Sequence, residues 1–179
     1  MGIFDGVTEE DKHLFAGLIG SLYREPDLII SDDEGTPYLY RWWLIPRNER
    51  GNVYAHLQVA SDPSRPLHDH PWDNESTILS GGYTERLDHF PGSIASHVRD
   101  YPRKLHDHIQ RKAGWAHRLI LPLGIPYTMT LFTTGPKVRE WGFWHENEWH
   151  PHEEWCKFDN GTSLWLGPKV EEDYGPRTF

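Results

Sequence analysis

The sequence predicts a mainly β protein with one helix near its N-terminus, built as a sandwich or small barrel. Three observations carry this. Only 6 alanines stand against 16 glycines, 14 prolines, 9 Trp, 8 Tyr and 7 Phe, a composition poor in helix formers and rich in strand and turn formers. From Tyr38 onward the apolar residues fall in short continuous or alternating runs. These runs are evenly spaced, and no helical period intervenes between them.

The helix comes first. Thr8, with Asp11 three residues on, forms an N-terminal cap, and Leu14, Phe15, Leu18, Ile19 and Leu22 then make a stripe of helical spacing that Pro26 closes. Strands follow near 38–45, 52–60, 72–80, 82–89, 104–111, 116–121, 126–133, 138–145 and 162–166. Pro46, Pro63, Pro66, Gly81, Gly82, Pro91, Pro122, Gly135 and Pro136 separate many of them. The 179 residues amount to one domain: residues 1–30 form a helical extension, 38–145 the barrel core and 146–179 a C-terminal strand and loop extension. The polar stretch from Gly167 to Phe179 is expected to be loosely held.

Charge and cysteine usage exclude several function classes. With 18 Lys+Arg against 27 Asp+Glu the net charge is −9, the wrong sign for a general nucleic-acid binder. No apolar run approaches the ~18 residues that a membrane helix needs. Asp5, Glu9, Glu10 and Asp11 give the first 20 residues the wrong charge for a secretory signal, so a cytoplasmic protein is expected. Cys156 is the only cysteine, which excludes an internal disulfide and any multi-cysteine zinc or iron–sulfur site.

The 12 histidines carry the functional signal, and three His-x-His pairs occur: His68/His70, His106/His108 and His150/His152. On a strand, side chains two apart share a face, so each pair could present two imidazoles to one metal. Only the first pair has company. It reads His68-Asp-His70-Pro-Trp-Asp-Asn-Glu75, with Gly81 and Gly82 after it and Gly114-Trp-Ala-His117 far downstream. His68, His70, Glu75 and His117 make a three-nitrogen, one-oxygen set suited to a first-row divalent metal, with positions left open for water or substrate. His106/His108 lacks a carboxylate at the matching offset, where Ala113 stands, and is expected to face solvent. His150/His152 is expected to lie in an exposed loop.

These motifs resemble the cupin superfamily, whose first motif is G-x5-H-x-H-x3,4-E-x6-G and whose second is G-x5-P-x-G-x2-H-x3-N. The chain supplies His68, His70, Glu75 and Gly82 of the first, and Gly114 and His117 of the second. It departs at Asp62, His106, Lys112 and Leu121, all turn or support positions. The likeness covers residues 38–145. A narrower likeness, in Arg41-Trp-Trp-Leu-Ile-Pro-Arg-Asn48, Leu67-His-Asp-His-Pro-Trp72 and Gly135-Pro-Lys-Val-Arg-Glu-Trp-Gly-Phe143, is to small phage- and prophage-associated cupin-like proteins. The resemblance implies a double-stranded β-helix, or jelly-roll, barrel and one divalent metal. Fe(II) comes first, with Mn, Ni, Co or Zn as alternatives. It implies a small Fe(II)-dependent dioxygenase acting on a small organic molecule, with Glu75 also serving as a base. The alternatives are a non-redox isomerase, epimerase or decarboxylase, and a non-catalytic metal-stabilised binding module. Family habit implies a homodimer.

Pocket candidates follow from strand parity. Thr77 and Leu79 share Glu75's face and Leu119 shares His117's, so they are expected to wall the pocket. Trp72 and Trp115 sit two residues from ligands, and Arg41 could grip an anion. Residues 53–59 alternate Val53, Ala55, Leu57 and Val59 against Tyr54, His56 and Gln58; the polar face lines the pocket only if it points into the barrel.

Overall fold

The computed structural model describes residues 2–159 and 162–170. Helix α1 spans Glu9–Ile19, and Thr8 caps it by accepting a hydrogen bond from the Asp11 N–H at 3.2 Å. Glu9, Glu10 and Asp11 in its first turn complement the helix dipole. It stops earlier than Pro26 would stop it. Gly20 adopts a left-handed φ of 89° and its N–H closes on the Ala16 carbonyl, which leaves Leu22 outside the helix.

Fourteen strands appear among the described residues: β1 (Leu28–Ser31), β2 (Pro37–Trp43), β3 (Asn52–Gln58), β4 (Leu67–His68), β5 (Asn74–Ser80), β6 (Gly82–Asp88), β7 (Arg99–Lys104), β8 (His108–Arg111), β9 (Ala116–Ile120), β10 (Thr128–Thr134), β11 (Gly142–His145), β12 (Glu148–Pro151), β13 (Cys156–Asp159) and β14 (Thr162–Trp165). A one-turn helix α2 (His152–Trp155) precedes β13. One six-stranded sheet runs β1-β2-β3-β10-β5-β8 and a second runs β12-β11-β4-β9-β6-β7, with β13-β14 as a separate hairpin. Among the described residues every ladder is antiparallel. The fold is a jelly-roll barrel of two facing sheets, as expected.

The differences from the sequence reading are local. Of the run read as one strand over 104–111, His106 turns with φ 71° and only 108–111 forms β8; Lys104 ends β7, whose residues 99–103 were not read as a strand. The strand expected from 72 begins at Asn74. The short strands β1, β4, β12 and β13 had no alternation long enough to read. Of the C-terminal extension, residues 160–161 and 171–179 lie outside the described residues. No described helix is long and apolar enough to cross a membrane.

Three clusters hold the layers together. Ile78, Tyr83 and Ile109 pack between the sheets with Leu119 and Leu121. Phe15 and Ile19 of α1 pack on the other face of the first sheet, against Trp42, Ala55, Leu57 and Met129. Phe143, Cys156 and Trp165 form the third, with Trp141 and Trp155 beside them. Strand β3 is therefore covered on both sides: Ala55 and Leu57 lie under the helix, while His56 and Gln58 face the barrel interior.

Candidate metal centre

His68 ends β4, His70 follows it, and His117 sits on β9 directly opposite His68 in the ladder. Asp69, between the first two, points to the opposite side and is fully buried. Its carboxylate accepts from the Gly142 N–H at 2.8 Å and from the Trp144 and Trp149 indoles at 3.1 Å each, and it pairs with Arg139 at 3.1 Å. That anchor ties β4 to β11 and β12 and turns both neighbouring imidazoles inward.

One ring nitrogen from each of His68, His70 and His117 lies within 4.8 Å of the others, and the Nε2 atoms of His70 and His117 are 2.8 Å apart. Burial, reinforced by the charges of His117 and nearby arginines, pushes His68 and His70 well below the ordinary histidine value of 6.5. Both are neutral at pH 7 and offer lone pairs.

Behind His117 stands Glu85, a residue the sequence did not single out. It is fully buried on β6. Its Oε1 accepts from His117 Nδ1 at 2.9 Å and from Arg111 Nε, and its Oε2 accepts from Arg103 at 2.7 Å. Burial alone would raise Glu85, but the hydrogen bonds and charges of His117 and Arg111 outweigh it and hold the carboxyl well below the usual range. With Nδ1 donating to Glu85, His117 presents Nε2 to the cluster, the orienting arrangement that a carboxylate gives a ligating histidine. Arg111 is fixed in turn by donating to Ser76 Oγ at 2.9 Å and the Tyr83 hydroxyl at 3.1 Å.

Glu75 does not join them. Its carboxylate accepts from Gln110 at 2.8 Å and lies 3.4 Å from His108 Nε2, with 44% of the side chain exposed. Strand β5 begins only after the 71–73 connection, and its buried face carries Asn74, Ser76 and Ile78. The alternation therefore places Glu75 on the other face. Thr77 and Leu79 go with it: Thr77 Oγ1 lies 3.0 Å from His108 Nδ1, and Leu79 packs against the helix cluster. Neither walls the cavity.

That cavity, about 280 Å³, lies between the sheets and is lined by the three histidines. Arg41, His56, Gln58, Trp72 and Leu119 also line it, as do the unforeseen Asp62, Ser76, Arg111 and Phe132. Tyr54 stacks on His56 and Phe132 at 6.0 and 6.2 Å without lining the cavity. Trp115 packs on His89 at 4.2 Å, away from the cavity lining. Burial, with the charge of Arg41, pushes His56 well below 6.5, so its Nε2 accepts from Arg41 Nε at 2.9 Å. Of the other pairs, His106 and His108 are exposed, while His150 and His152 stack on Trp155 at 4.0 Å and Trp141 at 4.3 Å. Among the described residues neither pair belongs to a group of three metal donors.

Three imidazoles fit a borderline divalent metal such as iron, cobalt, nickel or zinc. No family model and no curated protein matches the sequence. Among solved structures, the capsular polysaccharide assembling protein CapF of Staphylococcus aureus is 18% identical with a TM-score of 0.45, over 63% of this chain and 30% of that one. The DMSP lyase DddQ of Ruegeria pomeroyi is 17% identical with a TM-score of 0.43, over 55% of this chain and 47% of that one. A cupin superfamily protein from Desulfitobacterium hafniense is 12% identical with a TM-score of 0.43, over 55% and 78%. The match therefore spans less than half the length of CapF or DddQ.

Proposed function

We propose that this chain is a cupin-type metal-dependent enzyme in which His68, His70 and His117 hold one divalent transition metal, Fe(II) first, for oxygenation of a small organic substrate. The supporting observation is the convergence of three imidazoles on one point of the cavity wall, with Glu85 holding His117 from behind. Bound there, the metal would supply a Lewis-acid centre and, as iron, redox chemistry. The chain's own residues do the rest. Glu85 and Arg111 set the orientation of His117, and Asp69 sets that of the His68/His70 pair. Trp72, stacked on His70 at 4.9 Å, and Phe132 keep that side of the cavity apolar. The same proposal includes a single domain over 1–179, with the barrel core at 38–145, acting as a cytoplasmic homodimer.

Metal analysis by mass spectrometry on untagged protein tests this. Near one metal per chain is expected in the wild type and in His106→Ala, and none in His70→Ala. Metal lost in His106→Ala but retained in His70→Ala overturns the site. The all-imidazole donor set also supports a redox-silent reading, an isomerase, epimerase or decarboxylase, because zinc suits it as well as iron does. Oxygen uptake by the iron-loaded protein across a substrate panel separates the two. No metal even after anaerobic reconstitution leaves a binding module.

A further inference from the structure

We propose that the cavity takes a small monoanionic carboxylate with a flat apolar body, gripped by Arg41 at one end and facing the histidine cluster at the other. The inference rests on the reading of this cavity as the substrate site, but not on which metal is bound or on any turnover.

Arg41 lies on β2, opposite His56 in the ladder, and lines the cavity. The next residue, Trp42, is fully buried under α1 and locks the strand in phase. Two contacts fix the guanidinium plane: Nε donates to His56 Nε2 at 2.9 Å, and the group lies over the Tyr54 ring at 4.9 Å. Among the described residues its two Nη groups have no hydrogen-bond partner, and no carboxylate lies within ion-pair distance. The other arginines of the cavity differ. Arg65 pairs with Asp33, Arg111 pairs with Glu85, and Arg118 donates to the Arg65 carbonyl at 3.3 Å. A half-buried guanidinium with no acid beside it gains a charge-assisted pair when a ligand supplies the charge. A guanidinium fork matches a carboxylate with two parallel bonds.

The rest of the wall narrows the class. A phosphate dianion would need a second uncommitted cation, and Asp62 on the same wall opposes further negative charge. Between Arg41 and the cluster lie Phe132, stacked on His56 at 5.1 Å, and Trp72, edge to face with Phe132 at 5.8 Å. Such a surface takes a flat apolar body. The volume of about 280 Å³ is at the small end for ligand sites. Arg41 and the three histidines line the same cavity, so both ends of one small ligand can be engaged.

Calorimetric titration of the full chain as purified, with benzoate against benzamide and phenylacetate against phenylacetamide, tests this. The acids should bind about tenfold or more tighter than the amides. That preference should vanish in Arg41→Met, shrink in Arg41→Lys and persist in His106→Ala. Acids and amides binding equally, neither binding, or a preference that survives Arg41→Met overturns the proposal. If Arg41→Met does not fold, the Arg41 Nε–H resonance of ¹⁵N-labelled wild type decides: a shift with benzoate but not benzamide supports the grip, and an unmoved signal overturns it. Failure of the metal reading looks different, with no metal in the wild type and the Arg41-dependent preference intact.

Discussion

Two glutamates on consecutive strands stand otherwise than the motif spacing suggests. Glu75 has the motif spacing but the wrong face; Glu85 has no motif yet is fully buried against His117. The spacing could not be read correctly because strand phase does not carry across the 71–73 connection. Glu85 left a fainter trace: it shares the face of Tyr83 and Leu87, so a charge stands at an apolar phase of β6. Glu75→Gln should leave metal content unchanged and stability within ~0.5 kcal/mol of wild type in chemical denaturation. Glu85→Gln should lower metal affinity roughly 10–100-fold and destabilise by about 3–5 kcal/mol, because Arg111 and Arg103 lose their buried partner. His56 sets an acid-side slope. Its folded value is depressed, whereas in the unfolded chain it titrates near 6.5. Its contribution is therefore complete above that pH and declines as pH falls below it. Melting temperatures from pH 7 to 5 should fall less steeply in His56→Gln than in wild type.

At the scale of elements, α1 and β3 depend on each other. The alternation of 53–59 left open which face pointed inward, since an apolar face must pack somewhere. The structure packs both, the apolar one under α1 and the polar one against the cavity. Local sequence could not decide this, because the partner of Ala55 and Leu57 lies some forty residues earlier in the chain. The helix itself was legible from its cap, and its end was misplaced only because Gly20 acts before Pro26 can. Phe15→Ala, at a fully buried position, should cost about 3–5 kcal/mol in urea unfolding. Thr8→Ala should cost about 1 kcal/mol by loss of the cap.

For the molecule as a whole, the jelly-roll architecture and the three histidines were legible, because composition, turn spacing and the two motifs all point the same way. The strand order of each sheet was not, because it depends on long-range pairings such as β3 with β10 and β4 with β9. Those pairings divide the site between the two sheets. His68 and His117 belong to one sheet, with His70 just beyond β4, while Arg41, His56 and Phe132 belong to the other. A ligand held at both ends acts as a strut between two leaves that share no ladder across the cavity. Its signature would be mechanical: on binding, amide exchange should slow together on β3 and β9, and the two halves of the barrel should cease to breathe independently.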